Sequence, residues 1–266
     1  DVGESGHSRQ RPVLLVSVLG TEGLGVDFGQ PVLRDVSIDV PAGQFVALMG
    51  ANGTGKTTLV RSVLGLLRPT TGTVWLFDTP LAHFRDWTRV SYVPQRLVTA
   101  SAVPLSVEEA VRSALTTGRS RLRPVSRAQR ARVHEALEQV GMADRAKDRL
   151  EDLSGGQQRR VMVARALTTD AELMIMDEPT AGIDAGEQVR LAGHMAQLHQ
   201  RGAAVVLITH DLGPVASLAQ RAIVLGPPSG ASVRYDGQSP PPERWTEHVW
   251  HHSHDNPADP GLLEGP

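Results

Sequence analysis

The stretch 50–58, Gly50-Ala51-Asn52-Gly53-Thr54-Gly55-Lys56-Thr57-Thr58, leaves a chain few ways to fold. It satisfies the spacing G-x-x-x-x-G-K-[ST], and an apolar run at 45–49 stands directly before it. A buried strand that breaks into glycines and resumes as a helix needs further strands beside it, so an α/β fold is implied. The glycines let the backbone curl until successive N–H groups point at one spot, where phosphate oxygens would be held. A helix beginning near Lys56 adds its positive end at the same place. Lys56 would reach the β- and γ-phosphates of a nucleotide, and the Thr57 hydroxyl would ligate Mg²⁺. Gly50, Asn52, Gly53, Gly55 and Thr58 complete the cradle.

The rest of the chain alternates strand-like and helix-like text, as an α/β fold requires. Strands are expected at 32–40, 44–49, 74–77, 90–93, 173–176, 203–208 and, last, 223–225. The run 13–19 imitates a signal peptide, but it is short and reads better as a first strand. After the phosphate loop, Leu59, Val63, Leu66 and Leu67 fall at helical spacing. From 98 to about 152 the text turns rich in Ala, Arg, Glu and Leu and reads as a helical insertion. There Ser126-x-x-Gln129 is a capping box, and Val133, Ala136, Leu137 and Val140 form one stripe ending at Gly141. Asp184-x-x-Glu187 opens a helix with the stripe Leu191, Met195 and Leu198, closed by Gly202. With no Cys, thiolate chemistry and iron–sulfur clusters are excluded. A formal charge of −2 and only 10 aromatic residues (Phe 4, Trp 4, Tyr 2) argue against a nucleic-acid partner.

Two further clusters carry chemistry. Leu173-Met174-Ile175-Met176-Asp177-Glu178 is a buried strand ending in two acids, whose side chains diverge and can take different tasks. Asp177 would hold Mg²⁺, and Glu178 would polarise an attacking water. Another apolar run ends at Thr209-His210-Asp211, where His210 could donate to a γ-phosphate. The string Leu153-Ser154-Gly155-Gly156-Gln157 is a helix start capped by Ser154, with exposed N–H groups suited to an anion.

Taken together, these motifs resemble the ATP-binding-cassette family of transport ATPases over residues 13–226. The resemblance implies a P-loop NTPase, RecA-like core (about 13–96 and 166–226), with an antiparallel β subdomain. It also implies an inserted α-helical subdomain at about 97–165. Residues 227–266 are expected to form a poorly ordered tail. By the same resemblance, Ser154, Gly155, Gly156 and Gln157 contact the γ-phosphate held by a second copy, giving a homodimer in the ATP-bound state. Gln95 in Tyr92-Val93-Pro94-Gln95 corresponds to the loop glutamine that senses Mg²⁺ and γ-phosphate. Asp184 corresponds to a loop aspartate that crosses the dimer interface, and His210 to the switch histidine. Phe28 corresponds to the aromatic that stacks on adenine, although an apolar residue packed beside a strand reads equally well. Thr54 stands where Ser is common, and Ala181-Gly182-Ile183 departs from the usual Ser-Ala-Leu.

The implied activity is ATP hydrolysis, with ATP and Mg²⁺, at the cytoplasmic face of a membrane. The implied partners are an integral-membrane permease and, indirectly, an extracytoplasmic metal-binding protein. Val93-Pro94-Gln95-Arg96 and the following 99–104 resemble importers of zinc, and next of manganese; a generic coupling surface is the alternative. A transporter for another substrate, or a soluble cassette ATPase, stays open. Four of the 10 histidines, His248, His251, His252 and His254, crowd the end of the chain. They suit either a metal-binding tail or a solvated one.

Overall fold

A computed structural model describes residues 17–94, 105–115, 126–180, 184–243 and 245. Among the described residues, ten strands form two sheets. The smaller is antiparallel, in the order β2-β1-β4-β5, from β1 (Ser17–Asp27), β2 (Pro31–Pro41), β4 (Thr71–Leu76) and β5 (Thr79–Pro80). The larger runs β10-β9-β3-β8-β7-β6, from β3 (Phe45–Gly50), β6 (Val90–Val93), β7 (Leu173–Asp177), β8 (Ala204–Ile208), β9 (Arg221–Gly226) and β10 (Ser232–Gln238). All its pairings are parallel except β10 on β9.

The central strands read as continuous apolar runs because both faces of this sheet are covered. Along β3, Phe45, Ala47 and Met49 enter one core while Val46 and Leu48 enter the other. In β7, Met174 and Met176 face the first core, and Leu173 and Ile175 the second. The second core lies under α1 (Lys56–Val63) and the antiparallel sheet. The first holds α2 (Val107–Arg112), α3 (Arg127–Gln139), α4 (Gly155–Leu167) and α5 (Ala185–Gln200).

The inserted helices follow their sequence signals. Ser126 and Gln129 make the expected capping box on α3, and Val133, Ala136, Leu137 and Val140 are buried before Gly141 turns at φ 65°. Leu191, Met195 and Leu198 are buried in α5, and Gly202 closes it at φ 91°. Arg132 clasps Asp170 through two bonds (3.0 and 2.7 Å) and donates to Thr168 O at 2.8 Å, tying α3 to the end of α4.

Two expectations fail. The stripe projected through Leu66 stops at Val63, because Gly65 at φ 68° reverses the chain and leaves Leu66 69% exposed. The last strand is not β9: Ser232–Gln238, within the stretch expected to be tail, pairs with β9 as β10. No residue of this edge strand is fully buried, so its apolar signal is thin. The four tail histidines and residues 13–16 lie outside the described residues. Among the described residues, no helix is long and apolar enough to cross a membrane.

Candidate nucleotide site

Parallel pairing brings three strand ends to one edge, where α/β sheets bind ligands. Leu48 of β3 and Asp177 of β7 both stand beside Ile208 of β8. The ladder continues past the strands: Thr209 N–H donates to Leu48 O at 3.1 Å, and Glu178 N–H to Ile208 O at 2.9 Å. The phosphate loop, the acid pair and His210 therefore converge from positions far apart in the chain.

The loop is tightly wound. Gly50 has φ 152°, and a Cβ there would lie 2.7 Å from both Leu225 O and Thr54 Oγ1, so no larger residue fits. Thr54 is buried, and its hydroxyl donates to Ala51 O at 2.9 Å, so threonine supplies the one group this position uses. Gly55 caps α1 in the left-handed region, and the first turn of α1 holds no acid. Its N–H groups thus face the cleft with their positive potential uncancelled. Lys56 is 6% exposed and donates through Nζ to Gly50 O at 2.7 Å and Ala51 O at 3.0 Å. An ammonium has three donors, which leaves one for a phosphate oxygen.

An open cleft of about 430 Å³ is lined by Asn52, Gly53, Gly55, Lys56, Thr57, Thr58, Asp177 and Glu178, all expected from sequence. Val32 of β2 joins them, and no motif marked it. Its Cγ1 would stand 3.0 Å from a Cβ on Gly55, so it walls the loop. Thr57 Oγ1 donates to Asp177 Oδ2 at 3.4 Å. Two hard oxygens so placed suit Mg²⁺.

Burial pushes the Asp177 carboxyl above its ordinary range, and neighbouring Glu178 pushes it further, against the pull of Thr57, Lys56 and Arg61. Burial lowers Lys56, opposed by Glu178 and Asp177. Tyr92 on the neighbouring strand β6 is pushed up to about 12, first by burial and then by Asp177. Tyr92 belongs to the Gln95 string, but no role was expected of it there. A carboxyl raised in the fold costs stability as pH climbs from its unfolded value, about 4, and costs nothing below it. Asp177→Asn is therefore expected to raise the melting temperature at pH 7 by ~2–4 °C, about 1 kcal/mol, with the gain vanishing toward pH 4. Thermal denaturation at both pH values checks this, and a variant that melts lower at pH 7 contradicts it.

Glu178 adopts φ 45°, unusual for a residue with a side chain. Its backbone is pinned by Ile208, and Oε1 lies 3.7 Å from His210 Nδ1. The Glu178 side chain is 14% exposed and that of His210 is 48% exposed, so the pair opens on one side to solvent.

Six expected residues, in three places, stand apart from this cleft. Phe28, at the turn between β1 and β2, is 65% exposed and outside its lining. Ser154, Gly155, Gly156 and Gln157 open α4 in the helical insertion, Ser154 accepting from Gln157 N–H at 3.3 Å. They too are absent from the lining. Asp184, exposed, precedes α5, and its carbonyl accepts from Gln188 N–H at 3.0 Å. Gln95 lies outside the described residues.

A model described as ABC transporter matches residues 33–181, which include the phosphate loop, the Ser154 helix start and the acid pair. The chain belongs to the ABC transporter family. Its α/β fold, RecA-like core and cleft are those of an ABC ATPase. A zinc import ATP-binding protein, ZnuC of Pseudomonas fluorescens, is 35% identical over 91% of this chain and 90% of its own. A manganese transport system ATP-binding protein, MntB of Bacillus subtilis, is 38% identical over 69% of this chain and 72% of its own. A bacterial ABC transporter cassette solved as a dimer shares the fold at a TM-score of 0.71 and 25% identity, covering 83% of this chain and 98% of that one.

Proposed function

We propose that the chain is the ATP-hydrolysing subunit of an importer of divalent metal ions, zinc before manganese, acting through a separate membrane permease. The observation that carries this reading is the 35% identity to a zinc import ATPase along 91% of the chain, with the cleft residues in place. On this reading the ATPase sits at the cytoplasmic face of the membrane, and a metal-binding protein outside delivers the ion.

In the mechanism, the loop N–H groups and Lys56 hold the β- and γ-phosphates. Thr57, Asp177 and Gln95 would hold Mg²⁺, which when bound offsets phosphate charge. Glu178 orients the attacking water and takes its proton, and His210 donates toward the γ-phosphate. Phe28 stacks on the base. Ser154, Gly155, Gly156 and Gln157 lie outside the cleft of their own chain, so a second copy must bring them to it, with Asp184 crossing the interface. ATP then joins two copies, and loss of the γ-phosphate releases them. Closure moves the helical insertion (about 97–165) against the core and, through the segment around Gln95, the permease. His248, His251, His252 and His254 are assigned to a tail that can bind the transported class of metal.

Membrane vesicles carrying the chain and its permease test the substrate. Accumulation of labelled Zn²⁺ on addition of MgATP, with less Mn²⁺, is the expected result. ATP hydrolysis without ATP-dependent uptake of either ion would overturn the metal assignment and leave the ATPase standing.

A further inference from the structure

The described residues contain three capping boxes, and the one on α4 carries a further contact from an arginine outside its helix. At the start of α2, the third helical residue is Glu109, an acid that complements the positive helix end. At α3 the third residue is Gln129, whose Oε1 accepts Ser126 N–H at 3.0 Å. At α4 the third residue is again neutral, Gln157, and the first turn holds no acid. Here a cation is added: Arg145 Nη1 donates to Gln157 Oε1 at 3.1 Å. The same oxygen accepts Ser154 N–H at 3.0 Å.

Arg145 is itself held in place. It ends a short 3₁₀ turn (Ala143–Arg145) whose preceding Met142 is buried in the core, and Arg145 Nε lies 3.6 Å from Asp148 Oδ2. Two donors on Gln157 Oε1 fix which way the carboxamide faces, because turning it over would set its NH₂ against Ser154 N–H and the guanidinium. Among the described residues, Gln157 Nε2 has no acceptor within the chain. It is left as a donor next to the free N–H groups of α4.

We propose that Arg145 is a positioning residue of the trans phosphate site: it locks Gln157 with its NH₂ outward, toward the γ-phosphate held by the other copy. This rests on the two-copy reading above. A contact of this exposure is worth about threefold in affinity, and two such ends per dimer make about tenfold.

The test measures MgATP-driven dimerisation by light scattering in the Glu178→Gln form. Adding Arg145→Ala is expected to weaken the dimer about tenfold, and Arg145→Lys to restore most of the loss. ATP binding to the single copy stays unchanged, since Arg145 is outside its cleft. In a Gln157→Ala background, Arg145→Ala should cost less than about twofold, as expected of coupled neighbours. Unaltered dimerisation in the Arg145→Ala form, or a full tenfold loss persisting without Gln157, would overturn the proposal. Arg145→Gln reads the same contact if the alanine form does not fold. A Glu178→Gln parent that binds ATP yet never dimerises would instead sink the two-copy reading.

Discussion

Glu178→Gln is expected to cut the rate of phosphate release by ~10²–10⁴-fold while ATP binding persists and closed dimers accumulate. The backbone reasons are already in place: Glu178 is pinned by its N–H bond to Ile208 O and held at φ 45°, so glutamine inherits the same position. What changes is the charge and the basicity. A carboxamide cannot take the proton of the attacking water. It also stops raising the Asp177 carboxyl and stops supporting the charge on Lys56, and it no longer repels the γ-phosphate. Binding is thus relieved of one repulsion while the chemical step loses its base. Moving copies from 1:99 to 99:1 in favour of the dimer takes about 5.5 kcal/mol. Several charge-assisted bonds at ~1.5–3 kcal/mol each, made at two sites, are of that size. Scattering on the variant with saturating MgATP should therefore show particles of doubled mass. Phosphate release at the parent rate would remove Glu178 from its role.

What could be read from the sequence was whatever local rules and two-sided burial impose. The strands β3, β7 and β8 announce themselves because alternate residues enter two different cores, leaving no polar position in the run. The capping box at Ser126 and the Ser154 cap are local by nature, and both formed, Ser154 as a full box with Gln157. The acid pair could be placed at a strand end because the apolar run simply stops there. The failures share the opposite cause. Spacing alone carried the α1 stripe on to Leu66, but a left-handed Gly65 ended it. The strand β10 follows Pro227 and Gly230, and its edge position leaves only Val233 and Tyr235 as an alternating apolar hint. Val32, Tyr92 and Arg145 acquire their places only through tertiary contact. Tyr92 reaches Asp177 across 85 positions of chain because β6 pairs with β7 in a register that no local signal encodes.

Lys56→Ala is expected to weaken ATP binding by about 10²-fold or more, from loss of the ammonium's bonds to phosphate oxygens at ~1.5–3 kcal/mol each. The fold should survive. Lys56 is buried, and burial already lowers its affinity for a proton, so the charged amine costs the folded state part of what its bonds return. Its acceptors are the Gly50 O, in a buried bond, and the Ala51 O, in a partly buried one next to Asn52 of the cleft lining, so the loss is confined to two backbone carbonyls. Melting without nucleotide should shift by no more than a few degrees. Lys56→Arg discriminates shape from charge. Within a loop where a Cβ on Gly50 would already clash, the planar guanidinium has no room to hold both carbonyls and keep a donor for phosphate. The arginine form should consequently bind ATP almost as poorly as alanine, despite its full charge. Equilibrium titration with labelled ATP decides the matter, and recovery of parent affinity in the arginine form would mean that the site needs a charge there and not this geometry.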